Sequence, residues 1–166
     1  PHLPNAAMPR IRKPIKLVIA LRTCFKSTKE YAYFAVRFLM QLPCLFIAPT
    51  MQKGRGVFTD EPLQAGQLIE RSPVIVLSQT DRALIDKTLL HDYIFEWDPQ
   101  QRQCCMALGY VPLYNHGCPS NCEYEMDFEA GFISIRTVRD IPKGEELLIN
   151  YHGDFDNPSP LWFPSL

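Results

Sequence analysis

A chain of 166 residues, 46% hydrophobic and 21% charged, has the composition of one globular domain with an appendage and excludes a wholly disordered polymer. A chain of this length buries ~70% of its unfolded surface, enough for a real core. The net charge of −1 hides an asymmetry: residues 1–44 carry eight basic side chains against the single acid Glu30, and the rest carry nine against seventeen acids. An acidic body suits a cationic substrate, and a basic arm suits an anionic partner.

In chain order, residues 15–42 mix apolar and basic positions at helical spacing (Leu17, Leu21, Tyr31, Phe34, Phe38, Leu42), which predicts one or two amphipathic helices. Arg37 and Pro43 interrupt the apolar run from Tyr31 to Ala48, so no transmembrane segment is expected. Cys44–Ala48 reads as a strand, residues 49–56 as a turn-rich loop, and Val57–Thr59 as a second strand. Leu63–Glu70 reads as turn then strand, and Val74–Leu77 as a buried strand. Thr80–Leu90 opens on Thr-Asp and carries Leu84, Ile85, Thr88 and Leu89 on one side, which predicts a short helix. Tyr93–Trp97 and Cys104–Leu108 form a hairpin around Asp98-Pro99, and Gly131–Val138 alternates at period two. Fifteen Pro and eight Gly fit such a series of short elements better than a helical bundle.

Two stretches fit neither core nor ordinary surface. Asn115-His116-Gly117-Cys118-Pro119-Ser120-Asn121-Cys122 packs polar, turn-prone and cysteine residues together, and Glu146-Leu147-Leu148-Ile149-Asn150-Tyr151 is a strand ending in tyrosine. Alternating strand separates them, so both read as loops brought together around one site. The six cysteines follow no secretory signal, and Cys118 and Cys122 lack a second ligand pair, so neither a disulfide framework nor a metal site is expected.

Taken in order, Lys53-Gly54-Arg55-Gly56-Val57-Phe58, Tyr93-Ile94-Phe95, Asn115 to Asn121 and Glu146 to Tyr151 resemble the motifs of the SET-domain protein-lysine methyltransferases. The short tail and compact insert are most similar to small stand-alone bacterial SET proteins. The resemblance implies a mainly β fold with short helices, built of small curved sheets with a C-terminal pseudoknot. It divides the chain into a basic, partly helical extension (1–43), a SET domain (44–155) and a short aromatic tail (156–166).

The implied activity is transfer of methyl groups from S-adenosylmethionine to lysines of a basic protein such as a histone, histone-like or ribosomal protein. A non-catalytic SET module binding peptide or nucleic acid is the alternative. The reacting amine must be neutral, and free lysine has a pKa of ~10.4, so holding it neutral near pH 7 costs ~4–5 kcal/mol. A narrow apolar channel beside a sulfonium charge offsets that cost. By resemblance, Lys53, Gly54, Arg55, Gly56, Asn115, His116 and Tyr151 bind the cofactor, with the two glycines letting backbone approach it. Tyr151 and Tyr93 are the expected catalytic side chains, and Tyr93, Ile149, Trp162 and Phe163 the expected lysine channel. Ile149 stands where relatives often carry an aromatic residue limiting methyl number, which leaves room for multiple methylation. Gly117 replaces the usual serine, and Pro119 comes one place early. The basic arm is expected to contact nucleic acid, and the protein to be cytoplasmic if bacterial and nuclear if eukaryotic.

Overall fold

A computed structural model describes residues 40–98, 100 and 102–161. Trp162, Phe163 and nearly all of the expected N-terminal helical region lie outside the described residues. The last residues of that region, Met40–Gln41, form a strand, β1, instead of helix. The chain continues through β2 (Leu45–Pro49), β3 (Arg55–Thr59), β4 (Leu68–Leu77) and helix α1 (Gln79–Ile85). Then come β5 (Phe95–Asp98), β6 (Gln103–Ala107), β7 (Asn115–His116), β8 (Cys122–Asp127), β9 (Phe132–Thr137) and β10 (Glu146–Ile149). Two 3-10 turns, Leu89–Tyr93 and Val111–Leu113, complete the description.

One sheet runs β5-β6-β4-β9-β8, with β1 also on β4, and a second runs β2-β3-β10-β7. β4 joins two neighbourhoods: its first half pairs with β9, and Val74–Leu77 pairs with β6. In the second sheet β10 is antiparallel to β3 and parallel to β7. Strands β9 and β10 bury alternate residues (Ile133, Ile135 and Thr137; Leu147 and Ile149), the period-two signature of a sheet with one face on the core. Those side chains meet Val57, Ile69, Val111, Tyr114 and Ile141, all at most 1% exposed. Fully burying a side chain of this kind stabilises the fold by about 1.5–3 kcal/mol.

Three expectations shift. Val74–Leu77 is a strand but not buried, because Ile75 and Val76 are 51% and 45% exposed. The predicted helix is shorter and starts earlier: Ser78 caps it, accepting from Asp81 N at 3.2 Å while Asp81 Oδ2 accepts from Ser78 N at 3.1 Å. The helix stops at Ile85 because the Thr88 hydroxyl donates to Ile85 O and accepts from Leu90 N, closing a new turn instead of extending the old one. Tyr93 ends that turn, outside the hairpin strand, which begins at Phe95.

Candidate active site

Both odd stretches come together at the seam of the second sheet. Leu148 pairs with Asn115 and Ile149 with His116, and Gly117 N extends the register by donating to Ile149 O at 3.0 Å. Asn121 fastens the seam from below. Its Nδ2 donates to Glu146 O (2.8 Å) and Glu145 Oε1 (2.7 Å), and its Oδ1 accepts from Leu148 N (2.7 Å). Ser120 N reaches Phe155 O at 2.8 Å, so the chain after Tyr151 runs against the same loop. A Cβ at Gly117 would lie 2.8 Å from Leu148 Cδ1 and 3.0 Å from its Cβ, which accounts for glycine where serine was expected.

Beside this seam opens a cavity of about 1100 Å³. Lys53, Gly54, Arg55, Tyr93, Asn115 and Tyr151 stand on its wall; Gly56, His116 and Ile149 do not. Ile149 is fully buried in the core behind the wall. Gly56 stands behind the wall: the space a Cβ would take holds Glu146 Oε1, and that Cβ would also lie 3.0 Å from Asn115 Nδ2. Its bareness makes room for a carboxylate–amide pair and lies within β3, not in the loop before it.

That pair fixes the Asn115 side chain. Nδ2 donates to Glu146 Oε1 (2.7 Å) and to Arg55 O (3.0 Å), so both amide hydrogens are committed and Oδ1 is left as an acceptor. Lys53 Nζ donates to His116 O at 2.7 Å, clamping the Lys53–Arg55 turn to β7. Tyr151 is held from several directions. Its N–H donates to His116 Nδ1 (3.3 Å), its ring lies edge-on to the His116 ring at 5.3 Å, and its hydroxyl donates to Tyr114 O (3.2 Å).

Burial, then the charge of Lys53, then that of His152, push the His116 pKa below its ordinary value, which keeps Nδ1 an acceptor. Burial raises the Tyr151 phenol above its ordinary value although a backbone hydrogen bond from His116 pulls the other way. Its proton goes to Tyr114 O, so the phenol oxygen is an acceptor toward other donors.

Sequence reading missed part of the wall. Tyr124 and Met126 line it, with the Tyr124 hydroxyl 3.4 Å from Tyr151 O and its ring edge-on to Phe95 at 5.6 Å. The signal was present, since Cys122, Tyr124 and Met126 alternate with Glu123, Glu125 and Asp127 at strand period. Asp92, Glu96 and Arg82 stand on the wall, with Arg82 bridging Glu96 at 3.1 Å. Glu123 and Glu125 are exposed on β8. Among the described residues, no group of three or more His, Cys, Asp or Glu is arranged to hold a metal ion, and no helix is long and apolar enough to cross a membrane.

Comparison with known proteins agrees with this geometry. Residues 54–152 match the SET domain family, spanning every wall residue named above except Lys53. The chain is 37% identical over 120 residues to a Schizosaccharomyces pombe protein named histone-lysine N-methyltransferase, H3 lysine-37 specific, covering 72% of this chain and 76% of that one. A crystal structure of a candidate histone methyltransferase of Plasmodium falciparum superposes with a TM-score of 0.54 at 25% identity, covering 66% of this chain and 94% of that one. The Chaetomium thermophilum Polycomb Repressive Complex 2, solved bound to S-adenosylmethionine, shares the fold alone. There the TM-score is 0.56 at 19% identity, over 69% of this chain and 16% of that one. These organisms are eukaryotes, so the bacterial type expected from the short tail finds no support. The chain belongs to the SET domain family.

Proposed function

We propose that the protein transfers methyl groups from S-adenosylmethionine to lysine side chains of a histone. The observation that carries this reading is one wall holding Lys53–Arg55, Asn115, Tyr151 and the aromatic rings of Tyr93, Phe95 and Tyr124. The donor set fits the cofactor. Asn115 Oδ1, turned into an acceptor by Glu146 and Arg55 O, matches the ammonium of the methionine part. When bound, S-adenosylmethionine supplies a methyl on a sulfonium, electrophilic toward a neutral amine.

The chain's own residues do the rest. Tyr93, Phe95, Tyr124 and Tyr151 surround the amine with aromatic carbon and exclude water, which lowers an ammonium pKa by desolvation. With the cofactor bound, the neutral amine nitrogen would bond to the methyl carbon as the carbon–sulfur bond broke, and the proton lost from nitrogen would pass to solvent. Tyr151 offers an oriented oxygen to the partly positive methyl, and its fixed hydrogen bond to Tyr114 O means no reorientation is needed during transfer. Asp92 and Glu96 at the wall and the exposed Glu123 and Glu125 on β8 give a basic tail an acidic surface to approach.

The test is titration with S-adenosylmethionine by calorimetry, then methyl transfer to histone H3 by the native protein and Tyr151→Phe. The variant is expected to lose about 10²–10³-fold in kcat with cofactor binding kept. Absence of cofactor binding overturns the reading, and equal turnover in the variant removes Tyr151 from its role.

Three finer readings belong to the same proposal. The relative's specificity makes lysine 37 of histone H3 the first position to examine by mass spectrometry. Ile149 is buried behind the wall and so puts no aromatic ring into the cavity, which supports addition of more than one methyl; monomethyl product alone at completion counts against it. The basic extension contacts nucleic acid and the protein works in the nucleus; deleting residues 1–42 should weaken DNA binding and flatten its salt dependence.

A further inference from the structure

Among the described residues, Glu70 in β4 is the only ionisable carboxylate that is fully buried. Its Oε1 accepts from Ser72 Oγ at 2.8 Å and from Tyr110 N at 2.7 Å, and its Oε2 accepts from the Tyr114 hydroxyl at 3.0 Å. A backbone hydrogen bond from Val111 adds to these. Gly109, at φ +79°, leaves the chain close against the carboxylate, and the space a Cβ would fill holds Glu70 Oε1 and Ser72 Oγ. Residues 109–114 therefore wrap one buried charge.

An apolar side chain would fill this place at lower cost, because a buried carboxylate is tolerated only where donors surround it. What the charge adds is direction: donors from three residues of one segment, and from Ser72 beneath, all aim at two oxygens. The same segment forms part of the cavity wall through Val111, Pro112, Leu113 and Tyr114. Its last carbonyl, that of Tyr114, receives the Tyr151 hydroxyl at 3.2 Å.

We propose that Glu70 is a positioning residue for methyl transfer: by gathering Tyr110, Val111 and Tyr114 it sets where the Tyr114 carbonyl holds the Tyr151 hydroxyl. The proposal rests on the function given above. Glu70 touches neither substrate nor cofactor and acts only through Tyr114. A glutamine at this position would face one of the donors with an amide hydrogen, loosening the segment without emptying the site.

A double-mutant cycle tests it: kcat for histone methylation by the native protein, Glu70→Gln, Tyr151→Phe and the pair, with cofactor affinity measured by calorimetry in each. Glu70→Gln is expected to lower kcat by about tenfold or more, as misplacement of a reacting group does, while its cofactor Kd stays within about threefold of the native value. In the Tyr151→Phe background the same change should cost almost nothing, because the hydroxyl it positions is already gone. An equal fold-loss in both backgrounds, a loss of cofactor affinity matching the loss of kcat, or no loss overturns the proposal. Should Glu70→Gln fail to fold, Tyr114→Phe, which removes only the hydroxyl, enters the same cycle with the same outcomes. Methyl transfer by the native protein is measured first, so absence of transfer there counts against the function and not against this residue.

Discussion

The cavity has two walls of unlike build. On the seam side, Asn115, Asn121, Glu146 and Leu148 bond to one another, Tyr151 bonds to His116 and Tyr114, and Leu147 and Ile149 beside them are fully buried. On the opposite side, α1 and the turn Leu89–Tyr93 have no buried residue at all, and Leu84, Leu89 and Leu90 are 62%, 75% and 50% exposed. Capping bonds and the Arg82 bridge to Glu96 hold that side in place. The difference separates a wall held by buried hydrogen bonds from one held by exposed caps and a surface bridge, and the second is expected to open at lower cost.

Hydrogen exchange separates the walls by the largest margin. Amides of Leu147 and Leu148 should exchange only on global unfolding, and those of Arg82–Thr88 about 10³-fold faster through local opening. Equal protection would erase the contrast. Asn121→Ala comes next, since it strips Leu148 N of its acceptor and Glu146 O of its donor inside the seam. A loss of about 2–3 kcal/mol is expected in a denaturant titration, from buried groups left unpaired.

A smaller effect is expected with pH. Burial first, and then Lys53 and His152, hold the His116 pKa below its unfolded value. Its contribution to stability is therefore fully present above the unfolded pKa of ~6.5 and is lost as pH falls through the folded value. Melting temperature should drop between pH 7.5 and 5, and drop less in His116→Asn. Glu70 runs the opposite way in both proteins, since burial raises its pKa, and so cancels in the difference. Least of all, Arg82→Ala removes a half-exposed pair with Glu96 and should leave the melting temperature almost unchanged. Freeing Glu96 to meet the basic tail should lower the KM for the histone by about threefold at most, taking a surface pair as worth about 0.6 kcal/mol. A matching change in cofactor Kd would show that the two walls are coupled.

The seam was legible in the sequence because its chemistry is written in residue types that have few other uses: a Gly-x-Gly turn, an Asn-His pair, a strand ending in tyrosine. The SET resemblance rested on these, and the family match confirms it. What escaped was context. Val74–Leu77 reads as buried by its β-branched content, yet past Pro73 the neighbours Ile75 and Val76, on opposite faces of β4, are both left exposed. Thr80–Leu90 reads as one helix by apolar spacing, yet the Thr88 hydroxyl competes with the helix for its own backbone. Glu70 gave no signal, because nothing in a linear string shows that Tyr110 and Tyr114, some forty residues on, point their donors at it. Gly117 counted against the family motif only until Leu148 was seen to fill the space a serine would need.

Strand β10 follows all the others in the chain, although it lies between β3 and β7 in its sheet. During synthesis, β2 and β3 are therefore complete while one edge of β3 still faces water. An open edge is a template for pairing with another chain, so the nascent protein passes through a stage in which aggregation competes with folding. A chain halted before Glu146 would carry Asn115 without the carboxylate and the neighbouring strand that fix it. Slower translation or a chaperone acting at that point should improve yield more than any change to the finished fold.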